Sequence, residues 1–361
     1  MRILHVVEAF AGGVFTYLEG LIKEQIKENE VYVAYGIRPL TPKNVETYFD
    51  ERVHFILVKS FNGAWGTMLN PKAYYEIRKI YKEVQPDIVH LHSSSSGFLG
   101  RIVLPCLKTP VFYTPNGYAF LNQKTSKINR AGYYVMEKLV GLRPATTIAC
   151  SKGEYELSQK LTKHSTYVSN GIDIDKLDGL LTKQEKSSAH KFTVCTSGRI
   201  LTQKNPALFN EIATLLPEVH FVWIGDGEKE NNLRYMLTSP NIEITGWKSR
   251  EESVKLLQSY DIFILTSIWE GLPLALLEAM YLKKVCIVTD VVGNRDAIKD
   301  QVNGYICTSP ADFADRIRSV MNDQSLYRKL SQNAYNDVIR EYNTSVMNKK
   351  YTEIYKKALL K

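Results

Sequence analysis

Two glutamates eight positions apart occur in the mostly apolar segment SIWEGLPLALLEAM, residues 267–280. The segment follows the strand-like run DIFILT, and Pro273 suits the first turn of a helix, which places Glu270 in a loop and Glu278 inside the helix. Because the N–H groups of a helix N-terminus attract anions, the backbone of residues 271–273 could bind a diphosphate. Glu270 would then face the group that the diphosphate carries, and Glu278 could accept hydrogen bonds from hydroxyls. In the alternative reading, Glu270 only favours the helix dipole and Glu278 faces solvent.

A pair of cations follows a second strand-like run. FTVCTS is followed by GRILTQKN, which contains Arg199 and Lys204. A fork-shaped guanidinium and a flexible ammonium in one loop suit a diphosphate. Taken singly, each residue could equally be an ordinary surface charge.

Two adjacent glycines, Gly12 and Gly13, stand between the first strand-like run, RILHVV, and a helical segment. Glycine at such a place lets backbone N–H groups approach a phosphate or a sugar, although a plain tight turn remains an alternative. The stretch is not a G-x-G-x-x-G, and the second strand-like run, VYVAYGI, ends without an acidic residue. A dinucleotide oxidoreductase is therefore not expected.

Two polar residues near strand ends are candidates for contact with a sugar or an acceptor. His90 and His92 alternate in DIVHLH and share one face, with His92 at the carboxyl end, and Asn116 is in the loop after VFYT. A structural role for the histidines is the competing reading. Asp173 and Asp175 in GIDID have no third acidic ligand nearby, so no metal site is expected.

All these residues follow strands in an alternation of strand-like and helix-like segments that occurs twice. The polar stretch LDGLLTKQEKSSAHK, residues 177–191, separates the two halves and is interpreted as a linker. Such an order predicts an α/β protein with two doubly wound domains, each a parallel sheet covered by helices on both faces. Ligands of such sheets bind beyond the carboxyl ends of the strands.

The composition is that of an ordinary globular protein: 361 residues, 44% hydrophobic and 23% charged. Five single cysteines predict neither a disulfide framework nor a zinc site, and they fit a reducing cytoplasm. The N-terminal segment is too short and too acidic for a signal peptide, and no stretch is long and apolar enough to span a bilayer. The expectation is a cytoplasmic protein that is not integral to a membrane.

The net charge of +8 is unevenly distributed. Residues 1–170 contain 21 Lys and Arg against 14 Asp and Glu, whereas residues 171–361 contain 25 against 24. The first half is therefore the better candidate for an anionic partner, such as a phospholipid, a phosphorylated acceptor or nucleic acid, unless the charge only maintains solubility. Nucleic acid is disfavoured because RNP-like aromatic motifs and basic runs are missing.

The C-terminal segment, TSVMNKKYTEIYKKALLK, has an apolar face with lysines opposite. The residues at helical spacing are Met347, Tyr351, Ile354, Tyr355 and Ala358. They predict a helix that packs on the protein, and the alternative is a basic amphipathic helix lying on a membrane surface.

Several of these stretches, in this order, resemble the retaining family 4 glycosyltransferases, which have the GT-B fold of two Rossmann-like domains facing across a cleft. The resemblance covers nearly the whole chain, and its motifs are specific in combination and weak singly. They are GGV at 12–14, NGID at 170–173, GR…K at 199–204, GDGE at 225–228, E-x7-E at 270–278 and GNRDAIKDQVNGYI at 293–306.

The resemblance implies a role for each matching residue. Glu270 would face the donor sugar, Glu278 would bind the nucleotide ribose, and Arg199 and Lys204 would neutralise the diphosphate. The implied catalytic residues are Arg199, Lys204 and Glu270. The implied donor-binding residues are Gly12, Gly13, Arg199, Lys204, Gly246, Trp247, Glu270, Gly271, Leu272, Pro273 and Glu278, with Gly246 and Trp247 near the base.

The chain departs from the family pattern in one loop. Members often have a histidine near the donor sugar where this chain has Asn116. Asn116 can still hydrogen-bond a hydroxyl, and His92 is a candidate substitute.

The resemblance also implies an activity and a domain division. The activity is retaining transfer of a hexose or N-acetylhexosamine from a nucleotide sugar, with UDP favoured, to a saccharide or lipid-linked saccharide in capsule, O-antigen or exopolysaccharide synthesis. Neither a cofactor nor a metal is expected. The positive charge of the first half, and not the resemblance, suggests an anionic membrane surface as a further partner. Residues 1–170 with the returning helix 345–361 would bind the acceptor, and residues 171–344 the nucleotide sugar. The alternatives are an epimerase or hydrolase of the same fold and a non-catalytic binding protein.

Overall fold

The computed structural model describes residues 1–123, 125–181, 192–227 and 232–360. The chain divides into two compact units: the first unit is Met1–Gly171 with Thr344–Lys361, and the second unit is Ile172–Asn343. Both junctions lie one residue from the boundaries expected from the sequence.

The linker prediction is wrong at its start, because residues 177–180 belong to the helix Ile174–Leu180. Asp173 caps this helix by accepting a hydrogen bond from the Lys176 N–H, and Leu177 is buried. Residues 182–191 of the expected linker lie outside the described residues.

The strands and helices alternate along both units. The strands are β1 (Arg2–Val7), β2 (Glu30–Tyr35), β3 (His54–Leu57), β4 (Ile88–His92), β5 (Val111–Thr114), β6 (Thr146–Ala149), β7 (Ser165–Tyr167), β8 (Thr193–Ser197), β9 (His220–Ile224), β10 (Ile242–Ile244), β11 (Ile262–Leu265), β12 (Val285–Thr289) and β13 (Tyr305–Cys307). The helices are α1 (Gly12–Gln25), α2 (Ala64–Met68), α3 (Pro71–Val84), α4 (Ser93–Val103), α5 (Lys127–Val140), α6 (Lys152–Ser158), α7 (Ile174–Leu180), α8 (Pro206–Leu215), α9 (Arg250–Ser259), α10 (Leu274–Tyr281), α11 (Val292–Ala297), α12 (Pro310–Asn322), α13 (Gln324–Glu341) and α14 (Thr344–Leu359).

Each unit is built on one parallel sheet. The strand order is β3-β2-β1-β4-β5-β6-β7 in the first unit and β10-β9-β8-β11-β12-β13 in the second. Central strands such as β4 and β11 are buried along their whole length, because the crossover helices cover both faces of the sheet. Both sheets are therefore doubly wound, as the sequence predicts, with the order reversing between β1 and β4 and between β8 and β11.

The C-terminal helix α14 belongs to the first unit, although it follows the second unit in the chain. Its Met347, Tyr351 and Tyr355 are buried, as the helical spacing predicts. The Tyr17 hydroxyl donates to the Tyr351 hydroxyl at 2.6 Å, and the Tyr355 hydroxyl lies 2.6 Å from His90 Nδ1. The membrane alternative for this helix is wrong, because its apolar face is occupied by the protein's own core.

Helix α1 begins at Gly12, so the two glycines open the helix and do not form the loop before it. Gly12 has a φ of +55°, a conformation that glycine adopts at little cost. Among the described residues, no helix combines the length and the hydropathy needed to cross a bilayer.

Candidate active site

An ion pair lies at the place where the strand order of the second unit reverses. Lys204 follows β8 and Glu270 follows β11, and these strands are neighbours in the sheet. Lys204 Nζ is 2.7 Å from Glu270 Oε1, and the two side chains are only 16% and 8% exposed. Glu270 also accepts a hydrogen bond from Ser267 Oγ at 2.7 Å. The structure therefore brings together two predicted site residues that are 66 positions apart.

Hydrogen bonds fix the backbone around this pair. Thr266 Oγ1 donates to the Lys204 carbonyl at 2.6 Å, and Thr289 Oγ1 donates to the Ser267 carbonyl at 2.6 Å. Gln203 Nε2 donates to the Trp269 carbonyl at 3.0 Å. The loops after β8, β11 and β12 are thus connected to one another, which holds the site residues in place before any ligand arrives.

The charge of the pair leaves capacity for an anion. Glu270 neutralises the charge of Lys204 but occupies only one of the three donors on its ammonium. Arg199, in the same loop, is exposed. A net positive charge at this edge therefore depends on Arg199 and on the N-terminus of α10.

The α10 N-terminus follows Gly271, Leu272 and Pro273. Pro273 is the residue preceding the helix, one position outside the first turn expected from the sequence, and its side chain makes no cap hydrogen bond. Gly293, in the first turn of α11, packs against this loop so closely that a Cβ there would lie 2.1 Å from the Gly271 carbonyl oxygen. The close packing fixes the loop in front of the helix.

Glu278 forms a second ion pair that the sequence does not predict. It lies 2.8 Å from Arg250, the first residue of α9, and its side chain is mostly buried. The solvent-facing alternative for Glu278 is therefore wrong. One carboxylate holds about four lone pairs, so Glu278 can accept further hydrogen bonds beside Arg250.

Gly246 and Trp247 come directly after β10, at the edge of the second sheet. Gly246 forms an isolated antiparallel bridge with Gly225, which follows β9. Trp247 is exposed, with an aromatic face that a planar ring could stack on.

In the first unit, Gly12, Gly13 and Asn116 lie at the carboxyl edge of the sheet. A Cβ built on either glycine meets no atom within 4 Å, so the backbone there is open to an approaching group. Asn116, after β5, has a φ of +55°, and its buried Nδ2 atom has no hydrogen-bond partner. Asn116 thus has a donor left for a ligand.

His92 is not where the sequence suggests, because its side chain is fully buried. With His5 and His90 it forms a group that we call the histidine cluster. His92 Nε2 lies 2.9 Å from His5 Nδ1, and His5 Nε2 lies 2.8 Å from Gln25 Oε1. Burial lowers the pKa of His5 to about 4 and holds the pKa values of His90 and His92 well below their usual range. A sugar contact by His92 is therefore a wrong expectation, and the structural alternative holds.

The histidine cluster is the one group in the described ranges with three potential metal ligands within 4.8 Å of one another. It does not fit a metal well. Two nitrogens on a tetrahedral zinc ion, with bonds of about 2.0–2.1 Å, lie about 3.3 Å apart. The 2.9 Å between His5 and His92 is a hydrogen-bond distance, and His90 is engaged by Tyr355 and Thr114.

Two family models match successive parts of the chain. "Glycosyltransferase Family 4" matches residues 11–176, and "Glycosyl transferases group 1" matches residues 180–337. The chain belongs to the family 4 glycosyltransferases.

Among curated relatives of this glycosyltransferase, one from Escherichia coli is UDP-Gal:alpha-D-GlcNAc-diphosphoundecaprenol alpha-1,3-galactosyltransferase. The two are 29% identical over 336 residues, which cover 85% of each protein. A second, from Campylobacter jejuni, is N,N'-diacetylbacillosaminyl-diphospho-undecaprenol alpha-1,3-N-acetylgalactosaminyltransferase. It is 26% identical over 331 residues, which cover 84% of this chain and 86% of the relative.

Solved structures align with nearly the whole chain. Anabaena HepE, crystallised with UDP, aligns with a TM-score of 0.78 and 17% identity over 99% of this chain and 100% of its own. WaaG, a glycosyltransferase involved in lipopolysaccharide biosynthesis, aligns with a TM-score of 0.72 and 14% identity over 97% and 98%. The glycosyltransferase has the GT-B fold that the resemblance implies.

Sequence reasoning missed two charged residues near the predicted site residues of this glycosyltransferase, the half-buried Arg250 and the buried Glu8. Arg250 is far from Glu278 in the sequence, and no local pattern connects them. Glu8 directly follows β1, accepts from the Gly63 N–H at 3.1 Å and pairs with Arg38 at 3.0 Å. Its position after a central strand was the available signal, by the same rule that selects Arg199 and Glu270.

Proposed function

We propose that this glycosyltransferase transfers a hexose or N-acetylhexosamine, with retention of configuration, from a UDP-sugar to a saccharide or lipid-linked saccharide. The assignment of the donor-binding site rests on the Lys204–Glu270 pair. This pair lies where the strand order reverses between β8 and β11, in front of the α10 N-terminus. Support for UDP comes from the HepE complex and from the name of the E. coli relative.

The donor diphosphate binds beside Arg199 and the free donors of Lys204, against the backbone of Gly271, Leu272 and Pro273. Glu270 then meets hydroxyls of the donor sugar with the oxygen that Lys204 does not hold. Glu278 accepts from the ribose while Arg250 fixes its orientation, and Trp247, beside Gly246, stacks on the base.

The reaction needs the protein chiefly for positioning and for stabilising negative charge. The acceptor oxygen forms its bond to the anomeric carbon on the face from which the diphosphate departs. The bond to the phosphate oxygen breaks, and that oxygen takes the acceptor proton. Arg199 and the helix terminus supply the positive charge that a divalent metal supplies elsewhere, and Lys204, paired with Glu270, adds hydrogen-bond donors, so the proposal requires neither a metal nor a cofactor.

The acceptor binds to the first unit, at the carboxyl edge of the sheet where Asn116 lies. Both curated relatives carry undecaprenol diphosphate in the names of their acceptors, which supports a lipid-linked acceptor in capsule, O-antigen or exopolysaccharide synthesis. The enzyme would then work on the cytoplasmic side of a membrane, at its anionic surface.

The test measures nucleotide release from UDP-, GDP- and ADP-sugars, with and without an undecaprenyl-diphosphate-linked saccharide. UDP release that depends on the acceptor, with an anomeric proton coupling in the product that matches the donor, supports the proposal. Nucleotide release without acceptor would indicate a hydrolase instead, conversion of the UDP-sugar to its epimer without release an epimerase, and binding with neither outcome a non-catalytic protein. Wild-type turnover by a folded Glu270→Ala variant would remove Glu270 from the mechanism.

A further inference from the structure

Helix α5 of the first unit has an exposed apolar surface. Ile128, Val135 and Leu139, together with Leu142 just beyond the helix, are 84%, 54%, 63% and 80% exposed. Their spacing of seven, four and three residues places them on one side of a helix. We call these four residues the α5 stripe.

The opposite side of α5 anchors the helix in the first unit. Tyr133 and Tyr134 pack against the core. Glu137 pairs with Arg101 at 2.7 Å, with both side chains about 3% exposed, and accepts from the Tyr113 hydroxyl at 2.9 Å. The stripe is therefore turned away from the core, and packing within the first unit does not explain its apolar character.

The part of the sequence that contains the stripe carries almost only positive charge. Residues 88–153 contain eight Lys and Arg and a single acid, Glu137, which is buried and neutralised by Arg101. Lys127 and Lys138 of α5 and Arg143 after it are exposed. Two further exposed apolar residues, Ile102 and Leu107, lie in the same acid-free stretch.

An apolar stripe flanked by cations, in a stretch of sequence without an exposed acid, has the chemistry of a helix that lies on an anionic bilayer. Its apolar side chains enter the boundary between headgroups and acyl chains, and Lys127 and Lys138 meet lipid phosphates. Single exposed apolar residues are ordinary, but four on one helical side are an interaction surface.

We infer that the α5 stripe, with Lys127, Lys138 and Arg143, docks the first unit on an anionic phospholipid surface. The inference rests on the lipid-linked acceptor of the proposed function. Because α5 follows β5 and the Asn116 loop, its first turn starts at the carboxyl edge of the sheet. Docking through this helix holds that edge near the surface in which an undecaprenyl chain is embedded.

The test is flotation of the full chain with vesicles of phosphatidylcholine containing phosphatidylglycerol, and with vesicles of phosphatidylcholine alone. The wild type should float with the anionic vesicles and be released by salt. A stripe variant carrying Val135→Gln, Leu139→Gln and Leu142→Gln should lose at least about tenfold in vesicle affinity. A charge variant carrying Lys127→Gln and Lys138→Gln should lose about tenfold or more, with a weaker salt dependence.

The matched control carries Leu215→Gln, Val302→Gln and Ile339→Gln, which change exposed apolar residues of the second unit. It should float as the wild type does. The inference fails if the wild type does not float, or if the stripe variant floats as well as the control. It also fails if the stripe variant only converts a dimer to a monomer in size-exclusion chromatography, since the stripe would then bind a second copy.

This assay contains no nucleotide sugar, so its result is independent of catalysis. The stripe variant should release UDP at the wild-type rate with a detergent-solubilised acceptor and more slowly with the same acceptor in vesicles. If the wild type does not bind vesicles but still releases UDP only when acceptor is present, the docking inference fails and the proposed function stands. If neither the wild type nor any variant releases UDP with the detergent-solubilised acceptor, the result counts against the proposed function itself.

Discussion

The Lys204–Glu270 pair provides the sharpest test of how the second unit holds its site. Replacing one member leaves the other as a buried charge without its partner, which costs about 3–5 kcal/mol in a fully buried pair. Lys204 is 16% exposed, and Glu270 keeps its hydrogen bond from Ser267, so the cost here should be lower. We expect Lys204→Met to destabilise the second unit by about 2–3 kcal/mol.

The matched variants are Glu270→Gln and the double variant. Glutamine retains an acceptor for Ser267, so Glu270→Gln should cost about 1–2 kcal/mol. The double variant leaves no unpaired charge, and its destabilisation should fall short of the sum of the single effects by about 1–2 kcal/mol.

Urea unfolding followed by tryptophan fluorescence suits this measurement. Three of the four tryptophans, Trp223, Trp247 and Trp269, are in the second unit, so the signal reports mainly on that unit. The reasoning is refuted if Lys204→Met leaves the unfolding midpoint unchanged, or if the single effects are additive in the double variant.

Three further outcomes are expected. Arg199→Ala should lower kcat/KM for the UDP-sugar by on the order of 10²-fold or more; equal loss with Arg199→Lys would show that the fork geometry matters. Gly293→Ala should weaken UDP binding in calorimetry, because its Cβ would lie 2.1 Å from the Gly271 carbonyl oxygen and must displace that loop; wild-type affinity would contradict this. The histidine cluster should make the first unit sensitive to acid, because the folded pKa values lie below the unfolded value of 6.5, with His5 at about 4. The contribution of these histidines to the free energy of unfolding is fully present above pH 6.5 and is lost as the pH falls toward 4, by up to about 1.4 kcal/mol per pH unit for each histidine. Urea unfolding at several pH values measures this loss.

Local patterns predict the fold of this chain well. Helix α8 begins at Pro206, and Ser249 caps α9 in a capping box with Glu252. These helix starts and the buried strands β4, β8 and β11 follow from signals within a few residues of each element. Two such units follow from the repeated order of strands and helices. The prediction is weaker at element ends: Gly12 joins its helix, and the expected linker begins in α7.

The candidate site is predicted in part, for a physical reason. The rule that ligands bind beyond the carboxyl ends of strands selects Lys204 and Glu270, and the structure brings them to 2.7 Å. The rule cannot distinguish an open strand end from a covered one, so it also selects His92, whose ring is fully buried. The Arg250–Glu278 pair depends on how two helices cross, and sequence spacing carries no information about that.

The docking of α14 has a consequence for the order in which the chain can fold. Tyr351 and Tyr355 fill positions in the first unit beside Tyr17 and His90, partners separated from them by 334 and 265 residues. While the chain is being synthesised, the sheet β1–β7 therefore leaves the ribosome with a gap in its core that nothing nearby in sequence can close. The second unit, made in between, has all its strands in one continuous stretch and can fold first, so a helix synthesised after the second unit completes the unit that precedes it.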